Sequence, residues 1–231
     1  MFLAAMPSNA PIHSKLLTAA ARNVLRPMGL FQKGWSRTWL DDNGWWVCVV
    51  EFQPSSWLRG SYLNVGCMWL WIEKDFISFD QGHRVEQFSG FQDDSQFESV
   101  ATGLAQRAAE EVQRYRQLFT SVSTVGDFYL GQPAANPGDW QNSHAAVACA
   151  IAGNATQSIQ FFDRFLDSTW DERPEWRIAA EADAVKLKAL AVDTSAFRQR
   201  IAKRVLRSRE LQKLPTLKAV DFEGPAQSVT K

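Results

Sequence analysis

The sequence predicts an α+β protein: an antiparallel, Trp-rich sheet packed by two helices, followed by an all-helical C-terminal region. Three observations lead there. Residues 45–53 and 61–71 carry apolar side chains at the two-residue period of strands. Residues 95–119 hold a continuous apolar stripe at spacings of three and four. Beyond Pro137 no convincing strand pattern recurs. The stretch Gln132-Pro133 to Asn136-Pro137-Gly138 reads as a linker, which gives an expected sheet domain over 1–131 and a helical region over 132–231.

Taken in order, residues 11–28 read as a helix. Pro11 suits its first turn, Ser8 or Asn9 can cap it, and Ile12, Leu16, Leu17, Ala20 and Val24 share one face. Pro27 and Gly29 close it. A first strand is expected over 36–40, then a turn at Asp41-Asp42-Asn43-Gly44, because Asn-Gly accepts the positive φ of a tight hairpin. Strands over 45–53 and 61–71 follow, separated by Pro54-Ser55-Ser56 and Gly60, and 83–88 is a fourth candidate. Strands two and three are apolar on both faces, so cover is expected on both sides: helices on one, and on the other the 72–82 loop, the second half or a partner chain.

Helix 95–119 presents Phe97, Val100, Leu104, Ala108, Val112, Tyr115 and Phe119. Further helices are expected over 143–152, 155–168, 174–191 and 194–211. Their inward residues are expected to include Ile159, Phe162 and Leu166, then Trp176, Ala179, Ala182 and Leu187, then Phe197, Ile201 and Val205, with Thr194 as a cap. The tail after Leu214 reads as loosely ordered.

Composition bounds the class. Apolar residues make up 45% of the 231, which argues against wholesale disorder, and 25 basic residues balance 25 acidic ones, which removes any global pull toward nucleic acid or anionic lipid. Three scattered cysteines, Cys48, Cys67 and Cys149, are too few for a disulfide framework and read as buried small hydrophobes in a reducing compartment. Met1 to Ala10 has neither the cationic start nor the apolar run of a signal peptide, and Met6 is an alternative start. No stretch reaches the roughly 18 apolar residues of a membrane span. The expectation is a cytoplasmic protein without a membrane partner. Seven of the ten tryptophans lie between Trp35 and Trp71. Large aromatics suit both sheet cores and binding platforms.

Residues 24–71 carry a recognisable text. A helix ends in Leu25-Arg26-Pro27-Met28-Gly29-Leu30-Phe31-Gln32-Lys33-Gly34; Val49-Val50-Glu51-Phe52-Gln53-Pro54-Ser55-Ser56 and Tyr62-Leu63-Asn64-Val65-Gly66 follow. Over about residues 11–120 this resembles the bacterial family catalogued as domain of unknown function 4304, with Leu30-Phe31 in place of the usual Phe directly after Gly. The resemblance implies an α+β domain and supplies no catalytic residues. On the residues themselves, the Gln53 and Asn64 amides suit either backbone groups at a sheet end or a ligand.

No chemistry assembles from spacing. His13, His83 and His144 stand in no metal spacing with one another or with a cysteine; His144 and Cys149 lie about 140° apart around a helix. His83, after Asp80-Gln81-Gly82, offers a general base near Asp80, but the nucleophile and orienting group that hydrolysis needs do not assemble around it. Asp93 and Asp94 suit the N-terminal dipole of the long helix. No cofactor is expected. One charge run stands out: Arg198, Arg200, Lys203, Arg204, Arg207, Arg209, Lys213 and Lys218 against Glu210, after helices weighted acidic by Asp163, Asp167, Asp171, Glu172, Glu175, Glu181 and Asp183. Such a helix binds phosphates, pairs with the acidic helices of its own half or is simply solvated.

The leading functional expectation is a non-catalytic, protein-binding accessory module of the bacterial immunity or antitoxin kind, whose partner is another protein or a second copy of the chain. Its candidate contacts are Trp57 and Arg59 in the 54–60 loop, with Gln53 and Asn64. The alternative is a nucleic-acid-associated protein using Arg200, Arg204 and Arg207. An uncharacterised enzyme is third.

Overall fold

The computed structural model describes residues 10–167 and 173–224. They divide into two compact units. The first holds residues 10–68 and Gln81–Gln117; the second holds Trp69–Asp80 and the chain from Leu118 on. The change thus falls at 117/118, where the sequence placed it at 131/132, and residues 69–80 join the later unit.

In the first unit, α1 (Ile12–Leu25) runs into a 3-10 turn over Arg26–Met28. Pro11 stands at its N-cap; Ser8 and Asn9 lie outside the described residues. The buried stripe of α1 is Leu17, Ala21 and Leu25 with His13, Ser14 and Thr18, while Ile12 is exposed. The expected face is rotated because Arg37 draws the polar positions inward: its guanidinium donates to Ser14 Oγ and lies 3.3 Å from His13 Nε2.

The sheet is a five-stranded meander of β1 (Phe31–Gln32), β2 (Thr38–Asp42), β3 (Trp46–Gln53), β4 (Gly60–Trp69) and β5 (Gln81–Gly90), each strand beside its sequence neighbour. Register puts Asp41 opposite Cys48 and Gly66 opposite Gly82, with a bulge around Leu63. The Gly66–Gly82 pairing brings the two backbones so close that a Cβ on Gly82 would lie 2.7 Å from Gly66 Cα. In β3 both alternating sets, Trp46, Cys48 and Val50 and also Val47 and Val49, are buried. Trp39 and Trp46 are buried as their two-residue neighbours require, as are Cys48 and Cys67, which form no disulfide.

β2 continues through Asp41 and Asp42, which the Asn43-Gly44 signal assigns to the turn. Asp41 is 4% exposed because Arg116, from α2 (Asp94–Leu118), grips both its oxygens at 2.9 and 2.5 Å. A charge-paired aspartate can enter a ladder; an unpaired one would be a turn residue. α2 also reaches β5 through Arg107 and Glu86, 3.1 Å apart. Its stripe is Phe97, Ala101, Leu104, Ala105, Ala108, Val112 and Tyr115.

In the second unit the described residues from 118 on contain helices and no strand. α3 (Val122–Leu130) opens with a capping box between Ser121 and Thr124. α4 (Trp140–Ile151) is buried on all sides from Asn142 onward, the mark of a central helix, and α3, α5 (Ala155–Leu166) and α7 (Thr194–Gln212) pack around it. α5 buries Ser158, Phe162 and Phe165 where the sequence favoured Ile159 and Leu166 beside Phe162.

α6 (Glu175–Leu190) turns Arg177, Ala184 and Leu187 inward and leaves Trp176 51% exposed, with Ala179 and Ala182 also outside. A fully buried arginine displaces the expected stripe because it finds acceptors there. α7 buries Phe197, Ile201 and Val205 as expected, and also Ser208, Arg209 and Gln212; its N-cap is Asp193, whose carboxylate accepts from Ala196 N at 2.9 Å. The tail is docked as far as Phe222, which is buried and whose carbonyl accepts from Val122 N at 2.9 Å.

Candidate functional site: an aromatic cleft in the helical unit

The second unit contains a cleft of about 750 Å³ between the 72–80 segment, the start of α4 and the start of α6. That volume lies within the range of small-ligand sites. Its construction begins with Trp69 and Trp71, both fully buried, whose rings stack at 5.0 Å and 12°. Phe119 meets Trp69 edge-on, and Trp69 Nε1 donates to Tyr129 Oη at 3.0 Å. Trp71 Nε1 donates to His144 Nδ1 at 3.2 Å. That bond leaves the proton of a neutral His144 on Nε2. Burial holds the imidazole down to about 4, so it is neutral at pH 7.

Below the cleft lies an ion pair. Lys74 Nζ donates to both oxygens of Asp80, at 2.7 and 2.8 Å, and each side chain is 9% exposed. Asp80 also accepts from Trp69 N at 2.8 Å and Ser78 Oγ at 2.9 Å, with His144 Nε2 3.9 Å away. Burial pushes the Asp80 carboxyl up, but His144, Lys74 and the Trp69 N–H together hold it below the usual carboxylate range. The loop carrying these groups is held by α7: Gln212 Nε2 donates to the carbonyls of Lys74 and Phe76 at 2.8 and 2.9 Å, and Ser208 Oγ donates to that of Ile72 at 3.1 Å.

The walls are aromatic. Trp140 stacks with His144 and with Trp176, both at 6.3 Å, and touches Phe165 at 5.3 Å. Phe76 and Phe79 close the other side, 63% and 39% exposed. Arg177 sets the wall in place. It is fully buried and donates to Gly138 O at 2.7 Å, Phe165 O at 2.6 Å and Glu181 Oε1 at 2.8 Å, with its guanidinium 4.2 Å above the Phe165 ring. It thereby ties the entry to α4 and the end of α5 to α6, the helix that carries Trp176.

Chemically, this arrangement favours binding over proton transfer. The Asp80 carboxylate accepts four hydrogen bonds, the Lys74 ammonium is spent on Asp80, and Nδ1 of His144 is occupied. The cysteine of α4, Cys149, is pushed by burial to about 11, so it is a thiol at neutral pH. Among the described residues no group of His, Cys, Asp or Glu could hold a metal ion.

The residues singled out from sequence lie elsewhere. Trp57 is 90% and Leu58 64% exposed, with Arg59 exposed beside them; Ser55 Oγ shapes the loop by accepting from Trp57 N and Leu58 N at 3.2 and 3.3 Å. The Gln53 and Asn64 amides engage side chains, not the sheet-end backbone: Asn64 Nδ2 donates to Gln53 Oε1 and Glu51 Oε2, both at 2.9 Å, and Arg84 donates to both residues while lying 4.3 Å over the Tyr62 ring.

On α7, Arg204 pairs with Asp183, Arg207 with Glu210 and Arg198 with Glu223, while Arg209 is buried on Pro215 O. Arg200 is exposed and has no ion pair among the described residues. Asp171 and Glu172 lie outside those residues. Much of the basic run is therefore spent within its own half. No helix among the described residues is long and apolar enough to cross a membrane. Comparison with protein-family models, curated proteins and solved structures finds no match, so the resemblance at residues 24–71 rests on those residues alone.

Proposed function

We propose that this chain is a ligand-binding protein whose helical unit captures a small, largely apolar molecule in the Trp140–Trp176 cleft. The observation that carries this reading is an aromatic wall, part exposed, above a polar floor whose charges are already paired. The paired floor gives up little hydration when the cleft is filled, and the aromatic walls gain apolar contact. Buried cysteines that form no disulfide support a reducing, cytoplasmic setting. A fragment screen by ligand-observed NMR tests the proposal. Aromatic and branched aliphatic fragments are expected to bind, and Trp176→Ala to weaken them roughly tenfold or more, about 1.4 kcal/mol, with no change in melting temperature. Fragments that bind Trp176→Ala as well as the wild type would place the site elsewhere.

A second reading, docking of another protein on the first unit, is favoured by the exposure of Trp57. Exposed tryptophans beside arginine are typical interface anchors. Trp57→Ala is expected to cost under about 0.5 kcal/mol of stability, whereas Trp69→Ala should cost about 3–5 kcal/mol. Urea titration of both variants checks this; equal losses would make Trp57 a core residue and remove the docking loop.

A further inference from the structure

We infer that the ligand of the cleft is an organic ammonium ion, an alkylated amine whose charged head rests against Trp140 and Trp176. The inference rests on the reading of the cleft as a binding site and goes further, to the charge of what it binds. Three carboxylates, Glu73, Asp80 and Asp139, and one ammonium, Lys74, line the cleft among the described residues. Lys74 and Asp80 neutralise one another through the bidentate contact. His144 is uncharged.

Glu73 and Asp139 remain. Both are exposed, and neither has an ion pair among the described residues. Asp139 is the N-cap of α4, the position where an aspartate ordinarily bonds a backbone N–H, yet its side chain makes no capping bond. Its carboxylate is therefore free for a ligand.

Charge and surface then select one class. An anion would face two uncompensated carboxylates with no free cation to receive it. A neutral ligand would shed water from those carboxylates without replacing it. A quaternary or alkylated ammonium offers methyl groups to the rings, a cation to the indole faces and a counter-charge to both carboxylates. Tryptophan is the best aromatic partner for a cation. The same head group occurs on free small amines and on alkylated lysine side chains of proteins, and both would satisfy this cleft.

The full-length chain would be titrated calorimetrically with choline, with its uncharged carbon isostere 3,3-dimethylbutan-1-ol, and with a short trimethyl-lysine peptide. Choline is expected to bind at least about tenfold more tightly than the isostere, and the preference is expected to collapse in the Glu73→Gln/Asp139→Asn variant, whose exposed substitutions leave the melting temperature unchanged. A peptide that binds more tightly than choline upholds the inference and makes the source a protein; equal affinities uphold it with a free amine. An isostere that binds as tightly as choline overturns the ammonium inference and leaves the cleft reading standing. No binding by choline, peptide or isostere overturns both.

Discussion

Asp80→Ala is expected to lower the free energy of unfolding by about 3–5 kcal/mol, a large fraction of the roughly 5–15 kcal/mol that holds a typical domain together. Its removal strands the Lys74 ammonium, 9% exposed, and the Trp69 N–H without acceptors. Urea unfolding measures the loss. The Lys74→Met/Asp80→Leu pair should recover much of it, because an apolar pair of similar volume leaves no charge behind. A cost below about 1 kcal/mol for Asp80→Ala would mean that the floor of the cleft is wet.

The same groups set an acid limit. His144 is held down to about 4 in the folded state against an ordinary 6.5. Between those values the unfolded chain takes up a proton that the folded chain does not, so stability falls as pH falls through this window, by up to roughly 3 kcal/mol at full protonation of the unfolded histidine. Asp80 is held low, so its contribution is present above the ordinary carboxylate value and is lost as pH falls below that value through the folded one. Stability measured from pH 7 to pH 3 should therefore decline in two stages, and His144→Asn should reduce the first to the share of His13, whose imidazole is also held down by burial and by Arg37. An unchanged slope in that variant would exclude His144 as its source.

Arg177→Ala is expected to cost about 3–5 kcal/mol as well, for a different reason. It leaves two buried carbonyls, of Gly138 and Phe165, without donors, and opens a cavity under Phe165. Arg177→Lys should recover only part of the loss, since a point-like ammonium cannot serve three acceptors from a planar fork. Because Arg177 also fixes the helix that carries Trp176, both variants should weaken ligand binding in the cleft. A stable Arg177→Ala protein with full affinity would refute this positioning role.

What the sequence allowed to be read was what local periodicity encodes. The α+β class, the sheet with its Asn43-Gly44 hairpin, the long helix and the helical C-terminal region all follow from two-residue and 3.6-residue spacing. The misses are long-range. Asp41 looks like a turn residue until Arg116, 75 residues later, neutralises it. α3 is short and interrupted by Gly126, and its cap uses Thr124 where a Glu or Gln would have marked a capping box. Serine is the better local cap, so the sequence favours a start at Ser143, whereas α4 begins at Trp140.

The candidate site was illegible for the same reason. Lys74, Asp80 and His144 share no motif spacing, and Trp176 reads as core because no local signal says that the arginine beside it is the buried member of the pair. Gln212 and Ser208 carried a weak signal: polar residues continuing the inward face of a helix past Val205 imply a backbone partner that needs them.

The placement of residues 69–80 in the later unit bears on how the chain is made. Ser208 meets the Ile72 carbonyl across a separation of 136 residues. At bacterial and eukaryotic synthesis speeds the 72–80 segment leaves the ribosome roughly 7–30 s before the residues that hold it. During that interval Trp71, Phe76 and Phe79 have no α4, α6 or α7 to pack against, and the sequence offers them to chaperones or to a neighbouring nascent chain. The helices made from residue 118 onward likewise cannot complete their core without a dozen residues synthesised far earlier. A cut between 117 and 118 would therefore yield two fragments that are each incomplete, and the ligand cleft would return only when both are present in one solution.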